Sequence, residues 1–134
     1  MELQQQILAA WNDRALLQQT QYSDAVRSVI ESVDKGKLRV AEPTENGWQV
    51  NEWVKQAILM YFSIQPMETM SLPPFEFHDK MKLKTDYAAL GVRVVPHAVA
   101  RYGAFIAKGA ILMPSYVNIG AYVDEGTMVD TGLQ

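Results

Sequence analysis

The stretch from Val99 to Thr131, VARYGAFIAKGAILMPSYVNIGAYVDEGTMVDT, decides the fold. Written in sixes from Val99 it reads VARYGA, FIAKGA, ILMPSY, VNIGAY and VDEGTM, with VDTGLQ as the sixth unit. The lead position is Val99, Phe105, Ile111, Val117, Val123 and Val129, large and apolar every time. The fifth position is Gly103, Gly109, Ser115, Ala121 and Thr127, all small, before Leu133 breaks the pattern. A strand alternates with period two and a helix with about 3.6, so a period of six fits neither and points to a solenoid. In a triangular coil each unit makes one flat side. The large lead residue is expected to point inward, and the small one lets the backbone turn at a corner. Three units close a coil, so residues about 18 apart should stack, Val117 over Val99 and Val129 over Ile111, at the strand spacing of about 4.8 Å. Two coils are too few to cover such a core, so the array is expected to continue beyond Gln134, as the front part of a longer protein or a chain cut within its repeat.

Upstream the composition changes. Of the 27 charged side chains, only Arg93, Arg101, Lys108, Asp124, Glu125 and Asp130 follow Gly91. Leu3, Ile7, Leu8, Trp11 and Ala15 form one apolar stripe, predicting a helix over residues 2 to 18. Val26, Val29, Ile30 and Val33 predict a second helix after Ser23, with Ser23 or Asp24 capping its start and Gly36 its left-handed stop. Short strands are expected at Lys37 to Ala41 and Trp48 to Val50 around the turn Glu45-Asn46-Gly47. A buried third helix should begin near Asn51 and end before Pro66. Pro73-Pro74 reads as a loop, and Asp86 to Leu90 as a short helix capped by Thr85 and stopped by Gly91. The fold class is therefore an α+β N-terminal domain, mainly helical with a short hairpin, over residues 1–90, followed over 91–134 by the first coils of a parallel β-helix.

Composition limits the function. The net charge of −3 and the lack of basic runs interleaved with aromatics argue against nucleic acid. No apolar run approaches the roughly 20 residues that span a bilayer, and MELQQQ lacks the flank of a signal peptide, so the expected location is the cytoplasm. Without cysteine there is no thiolate nucleophile or Cys-based zinc site, and His78 and His97 are too few and too far apart for a metal cluster. The methionines read as core filler, and Tyr102, Tyr116 and Tyr122 as packing at coil surfaces or a subunit seam. The adjacent Asp124 and Glu125 point differently and receive no role. No glycine-rich phosphate loop is present, because the glycines from Gly103 onward follow the coil period.

The stretch MPSYVNIGAYVDEGTMVDT, Met113 to Thr131, closely resembles the tetrahydrodipicolinate N-succinyltransferases, hexapeptide-repeat acyltransferases of the lysine and diaminopimelate pathway. LRVAEP, GWQVNEWVKQAILMYF, FHDKMKLK and GVRVVPHAVARYGAFIAKGAILMPSY also look like the corresponding parts of that family, so the resemblance runs nearly to Thr131. Only Gly132-Leu133-Gln134 departs from it. The resemblance implies a left-handed β-helix, a homotrimer with sites between subunits, and succinyl transfer from succinyl-CoA, as co-substrate, to the amine of a small dicarboxylate. It implies no metal or prosthetic group. Asp130 in VDT matches the family position where a carboxylate holds or deprotonates the reacting amine, which makes it the catalytic candidate and a substrate contact. From spacing alone it is equally a corner residue, like Asp124 and Asn118. Arg93 in GVRVVP matches the substrate-binding arginine, whose planar fork suits a carboxylate; its plainer reading is a surface arginine at a strand start. The second acidic residue and the coenzyme A contacts would lie in later coils. An inactive truncated fragment or non-enzymatic assembly module, and another hexapeptide-repeat acyltransferase, remain the competing functions.

Overall fold

The computed structural model describes residues 2–131. Three helices build the first core. α1 (Leu3–Asn12) buries Ile7 and Ala10 but ends six residues before the stripe predicts. The Asp13 carboxylate accepts from the Ala15 N–H at 3.3 Å and starts a separate 3-10 turn, Arg14–Gln18, the local competition by which aspartate leaves helices. α2 (Thr20–Asp34) begins before Ser23, which lies in its first turn with its hydroxyl donating to the Thr20 carbonyl at 3.3 Å instead of capping. Gly36, at φ +75°, takes the left-handed stop. α3 (Glu52–Ile64) buries Val54, Ala57, Ile58, Met60 and Tyr61 against α1 and α2.

The first hairpin, β1 (Ala41–Thr44) with β2 (Gly47–Val50), pairs Ala41 with Val50 and Thr44 with Gly47. Its first strand lies after the expected one because Leu38 and Val40 pack back onto the helical core instead of alternating in a sheet. A second hairpin, β3 (Glu68–Leu72) with β4 (Phe75–Asp79), stands where Pro73-Pro74 predicts only a loop; the prolines form its turn. The short helix α4 (Tyr87–Leu90) follows an N-cap Asp86 whose side chain makes no cap bond, and Gly91 stops it at φ +72°.

Beyond Gly91 run seven two-residue strands: β5 (Arg93–Val94), β6 (Val99–Ala100), β7 (Phe105–Ile106), β8 (Ile111–Leu112), β9 (Tyr116–Val117), β10 (Tyr122–Val123) and β11 (Met128–Val129). They stack in parallel as three sheets, β5-β8-β11, β6-β9 and β7-β10. A tight turn recurs at five of the six corners, with the N–H of Ala98, Ala104, Ala110, Ala121 and Thr127 donating to the carbonyl three residues earlier.

The stacking departs from the sixfold frame by one residue. Arg93 pairs with Ile111, a step of 18, but Val99 pairs with Tyr116 and Phe105 with Tyr122, steps of 17. In the first coil Ala100, Ile106 and Leu112 are buried, while Val99, Phe105 and Ile111 are half-buried on the outer side. Val117, Val123 and Val129 do pair with buried inner positions. The frame shifts at Met113-Pro114-Ser115, where one residue fewer turns the corner and the Ser115 hydroxyl bonds the Met113 carbonyl at 2.6 Å. The break at Leu133 lies outside the described residues.

Helical core and coil interlock. A Cβ at Gly36 would stand 2.8 Å from the Phe105 ring, and one at Gly103 2.6 Å from Ile119 and 3.3 Å from Ile30. Beside this seam Asp34 and Lys84, both nearly inaccessible, pair at 2.7 Å, and the same carboxylate oxygen accepts from the Gly103 N–H at 3.0 Å.

Candidate functional site

The coil has three flanks, and the rest of the described chain packs against two of them, with Tyr116 on the second still 57% exposed. Over β7-β10, Phe105 abuts the end of α2 at Gly36 and the Arg39 guanidinium stacks 3.6 Å from the Tyr122 ring centroid. Over β6-β9 lies the second hairpin, with Arg101 bonded to Asp79 at 3.0 Å and to Asn118 at 3.2 Å. A cleft of about 240 Å³ remains there, walled by Met70, Phe77, Val99 and Tyr116. On the third flank, β5-β8-β11, the outer residues are Arg93, Ile111 and Met128, in register with one another. Arg93 is exposed and Met128 is 56% exposed, while Leu112 beneath them is fully buried.

Arg93 lies on this flank, and Asp130 stands at the corner that follows it. Arg93 is held by its strand, its N–H donating to the Ala110 carbonyl at 3.1 Å, and its side chain is in none of the four ion pairs among the described residues. Asp130 follows β11 directly and is exposed. Its Oδ1 accepts from the Thr131 N–H at 2.7 Å. Asn118 and Asp124 make the same bond to Ile119 and Glu125, at 2.9 and 2.7 Å, so closing a corner is common to all three. Two strand spacings separate Arg93 from Met128 and two residues separate Met128 from Asp130, which sets the two candidates' backbones roughly 12 Å apart. Such a surface can hold an extended anion by its carboxylate at one end and a cationic amine at the other.

Sequence reasoning missed the charged pairs that seat the coil. Asp34 and Lys84 lie fifty residues apart, beyond any local pattern. A signal did exist: Asp34 is the last residue of α2, where a negative charge opposes the helix dipole and needs another reason to be there. Arg101 replaces the amide or carboxylate that Asn118, Asp124 and Asp130 carry at equivalent corners, and it serves the hairpin. The two histidines are far from forming a centre. His78 sits 2.8 Å from the Thr69 hydroxyl and His97 stacks on Phe75, and among the described residues no group of three or more His, Asp or Glu is placed to hold a metal. Tyr102 packs against Tyr61 and donates its hydroxyl to Glu31. Burial, followed by the Glu31 bond, pushes its phenol well above the usual tyrosine range.

The architecture is a helical domain latched to a short coil of parallel strands. Residues 2–64 match the family described as Tetrahydrodipicolinate N-succinyltransferase N-terminal. Relatives named 2,3,4,5-tetrahydropyridine-2,6-dicarboxylate N-succinyltransferase include those of Bordetella petrii, 50% identical over 90% of this chain and 48% of the relative, and Variovorax paradoxus, 50% identical over 97% and 51%. The Ralstonia pickettii protein of that name is 51% identical over 90% and 48%. In sequence the chain is similar to the N-terminal half of the tetrahydrodipicolinate N-succinyltransferases. It spans about half the length of the curated relatives it matches. No helix among the described residues is long and apolar enough to cross a membrane.

Proposed function

We propose that this chain carries the acceptor-binding half of an N-succinyltransferase of lysine and diaminopimelate biosynthesis, acting in the cytoplasm on succinyl-CoA and the ring-opened amino-oxo-dicarboxylate form of tetrahydrodipicolinate. One observation carries the reading. Arg93 lies in the same three-stranded sheet that Asp130 directly follows, in a chain about 50% identical to proteins named for this reaction. The coil is left-handed and continues, and the chain assembles as a homotrimer in which a neighbouring subunit closes the open flank into a cleft.

The chemistry follows from the groups. The Arg93 fork grips an acceptor carboxylate through paired N–H donors. Asp130 holds the acceptor ammonium and takes its proton, freeing the nitrogen lone pair. The nitrogen attacks the thioester carbonyl carbon and the negative charge passes to its oxygen. Collapse of that tetrahedral centre breaks the C–S bond and forms the amide; the second proton of the nitrogen goes to the departing coenzyme A sulfur, and the proton held by Asp130 passes to solvent. No covalent enzyme intermediate is required. The test follows free thiol from succinyl-CoA in the presence of the acceptor; with no cysteine in the chain there is no background. Acceptor-dependent release that Asp130→Asn abolishes supports the proposal, and absence of release from a folded trimer rejects activity for this chain.

A further inference from the structure

We propose that the cleft between α2, the end of α3 and a corner of the coil is a binding site for a phosphate group, held by Arg27, Lys82, Tyr61 and Gln65. It is independent of the acceptor reading above, since no residue of the β5-β8-β11 sheet lines it.

A hydroxyl without a partner marks the place. Tyr61, on α3, is 4% exposed, and its ring lies 6.5 Å from that of Tyr102 at the corner between β6 and β7. Both line a cleft of about 250 Å³ together with Arg27, Gln65 and Lys82. Among the described residues the Tyr61 hydroxyl makes no hydrogen bond, so the one polar atom of a nearly inaccessible side chain is left for whatever fills the cleft. Burial raises its phenol above the ordinary tyrosine value, which makes it a neutral donor at neutral pH.

The other groups on the cleft are donors too. Arg27 donates to the Gln65 Oε1 at 2.8 Å, which leaves the Gln65 amide nitrogen and the remaining guanidinium N–H groups unused. Lys82 is fixed at both ends: its carbonyl accepts from the Tyr102 N–H at 2.9 Å, and its ammonium stands 4.2 Å from the Tyr102 ring centroid. Neither Arg27 nor Lys82 is in any of the four ion pairs among the described residues. Glu31, the carboxylate beside them, is taken up by the Tyr102 hydroxyl and by Lys35 at 3.6 Å. Two unpaired cations and two neutral donors therefore face one small volume.

That set selects the chemistry of the ligand. A phosphate group brings close to two negative charges at neutral pH and at least three acceptor oxygens, which two cations and two neutral donors match. A carboxylate brings one charge and two oxygens. The cleft is smaller than the roughly 300 to 1,000 Å³ of sites for drug-sized ligands, so it suits inorganic phosphate or a small phosphorylated metabolite. Because the donors come from α2, α3 and the segment leading into the coil, a bound phosphate ties the helical core to the coil.

The experiment titrates the full chain by calorimetry, at constant ionic strength, with inorganic phosphate, glycerol 3-phosphate and acetate. Phosphate should bind about tenfold more tightly than acetate and raise the urea midpoint. Tighter binding of glycerol 3-phosphate than of phosphate supports a metabolite as the occupant, and the reverse supports the free ion. Tyr61→Phe removes an unbonded hydroxyl, so it should leave the phosphate-free midpoint unchanged and weaken phosphate about fivefold. Lys82→Gln should weaken it about tenfold. Lys55→Gln makes the same charge change on an exposed position of α3 outside the cleft, and should alter phosphate binding by less than about twofold. The site is overturned if phosphate does not bind, if acetate binds as tightly, or if Lys55→Gln weakens phosphate as much as Lys82→Gln; the acceptor reading stands in each case.

Discussion

Asp34→Ala should cost the fold about 4 kcal/mol, a size set by what the substitution leaves behind. The carboxylate receives three hydrogen bonds, from Lys84 at 2.7 Å, from the Gly103 N–H at 3.0 Å and from Lys35 at 3.4 Å. Its loss strands the Lys84 ammonium, 6% exposed, with one remaining bond of 3.3 Å to the Asp34 carbonyl. Breaking a buried pair from one side costs about 3 to 5 kcal/mol, and an orphaned amide at Gly103 adds about 1 kcal/mol. A cleft of about 260 Å³ against Lys84 admits water and brings the sum toward the lower end. Lys84→Met should cost less, about 2 kcal/mol, because Asp34 keeps Gly103 and Lys35. The double variant Asp34→Ala/Lys84→Met should cost less than the two singles together, by at least about 1.5 kcal/mol. Urea unfolding read by the fluorescence of Trp11, Trp48 and Trp53 measures all four corners of the cycle. Additivity within about 0.5 kcal/mol, or an Asp34→Ala cost below about 1 kcal/mol, would refute the claim that this pair seats the coil.

Gly103→Ala should destabilise by more than about 2 kcal/mol, since φ is +95° and the new Cβ would press on Ile119 at 2.6 Å. Gly126→Ala, at φ +69° with nothing within 4 Å, should show backbone strain alone, about 1 kcal/mol in the same unfolding assay. The fold favours the neutral Tyr102 phenol. That stabilisation is complete below the unfolded tyrosine value of about pH 10 and is lost as pH climbs through the raised folded value. The urea midpoint should therefore fall above about pH 10, and Tyr102→Phe should flatten the fall, leaving the smaller slope of Tyr61 and Tyr87, whose phenols burial also raises. Arg93→Lys should weaken acceptor binding about tenfold by calorimetry, because one ammonium cannot replace a paired fork; equal affinity would remove Arg93 from the site.

The period of six was legible because it is a property of the backbone's corners, which repeat whatever the side chains do. Which of two neighbouring apolar residues faces inward was not. Val99-Ala100, Phe105-Ile106 and Ile111-Leu112 each offer two candidates, and the larger lead residue reads as core when nothing outside the coil is known. The structure turns the second of each pair inward, because the helical domain supplies an apolar surface for Phe105 at Gly36. The early end of α1 and the late first strand share that origin. Asp13 prefers its own turn to the helix, and Leu38 and Val40 prefer the helical core to a sheet.

The candidate site was legible as residues, and its location was not. Asp130 makes the same corner bond as Asn118 and Asp124, so neither spacing nor local geometry distinguishes the three. Their surroundings do. Asn118 takes a bond from Arg101, which Asp79 of the second hairpin holds in place. Asp124 ends a strand whose sheet lies under the end of α2. Asp130 follows β11, in the sheet whose outward row is Arg93, Ile111 and Met128. A substitution that unseats the helices from the coil, such as Asp34→Ala, should disturb acceptor binding only through folding, since no residue of the latch reaches the open flank.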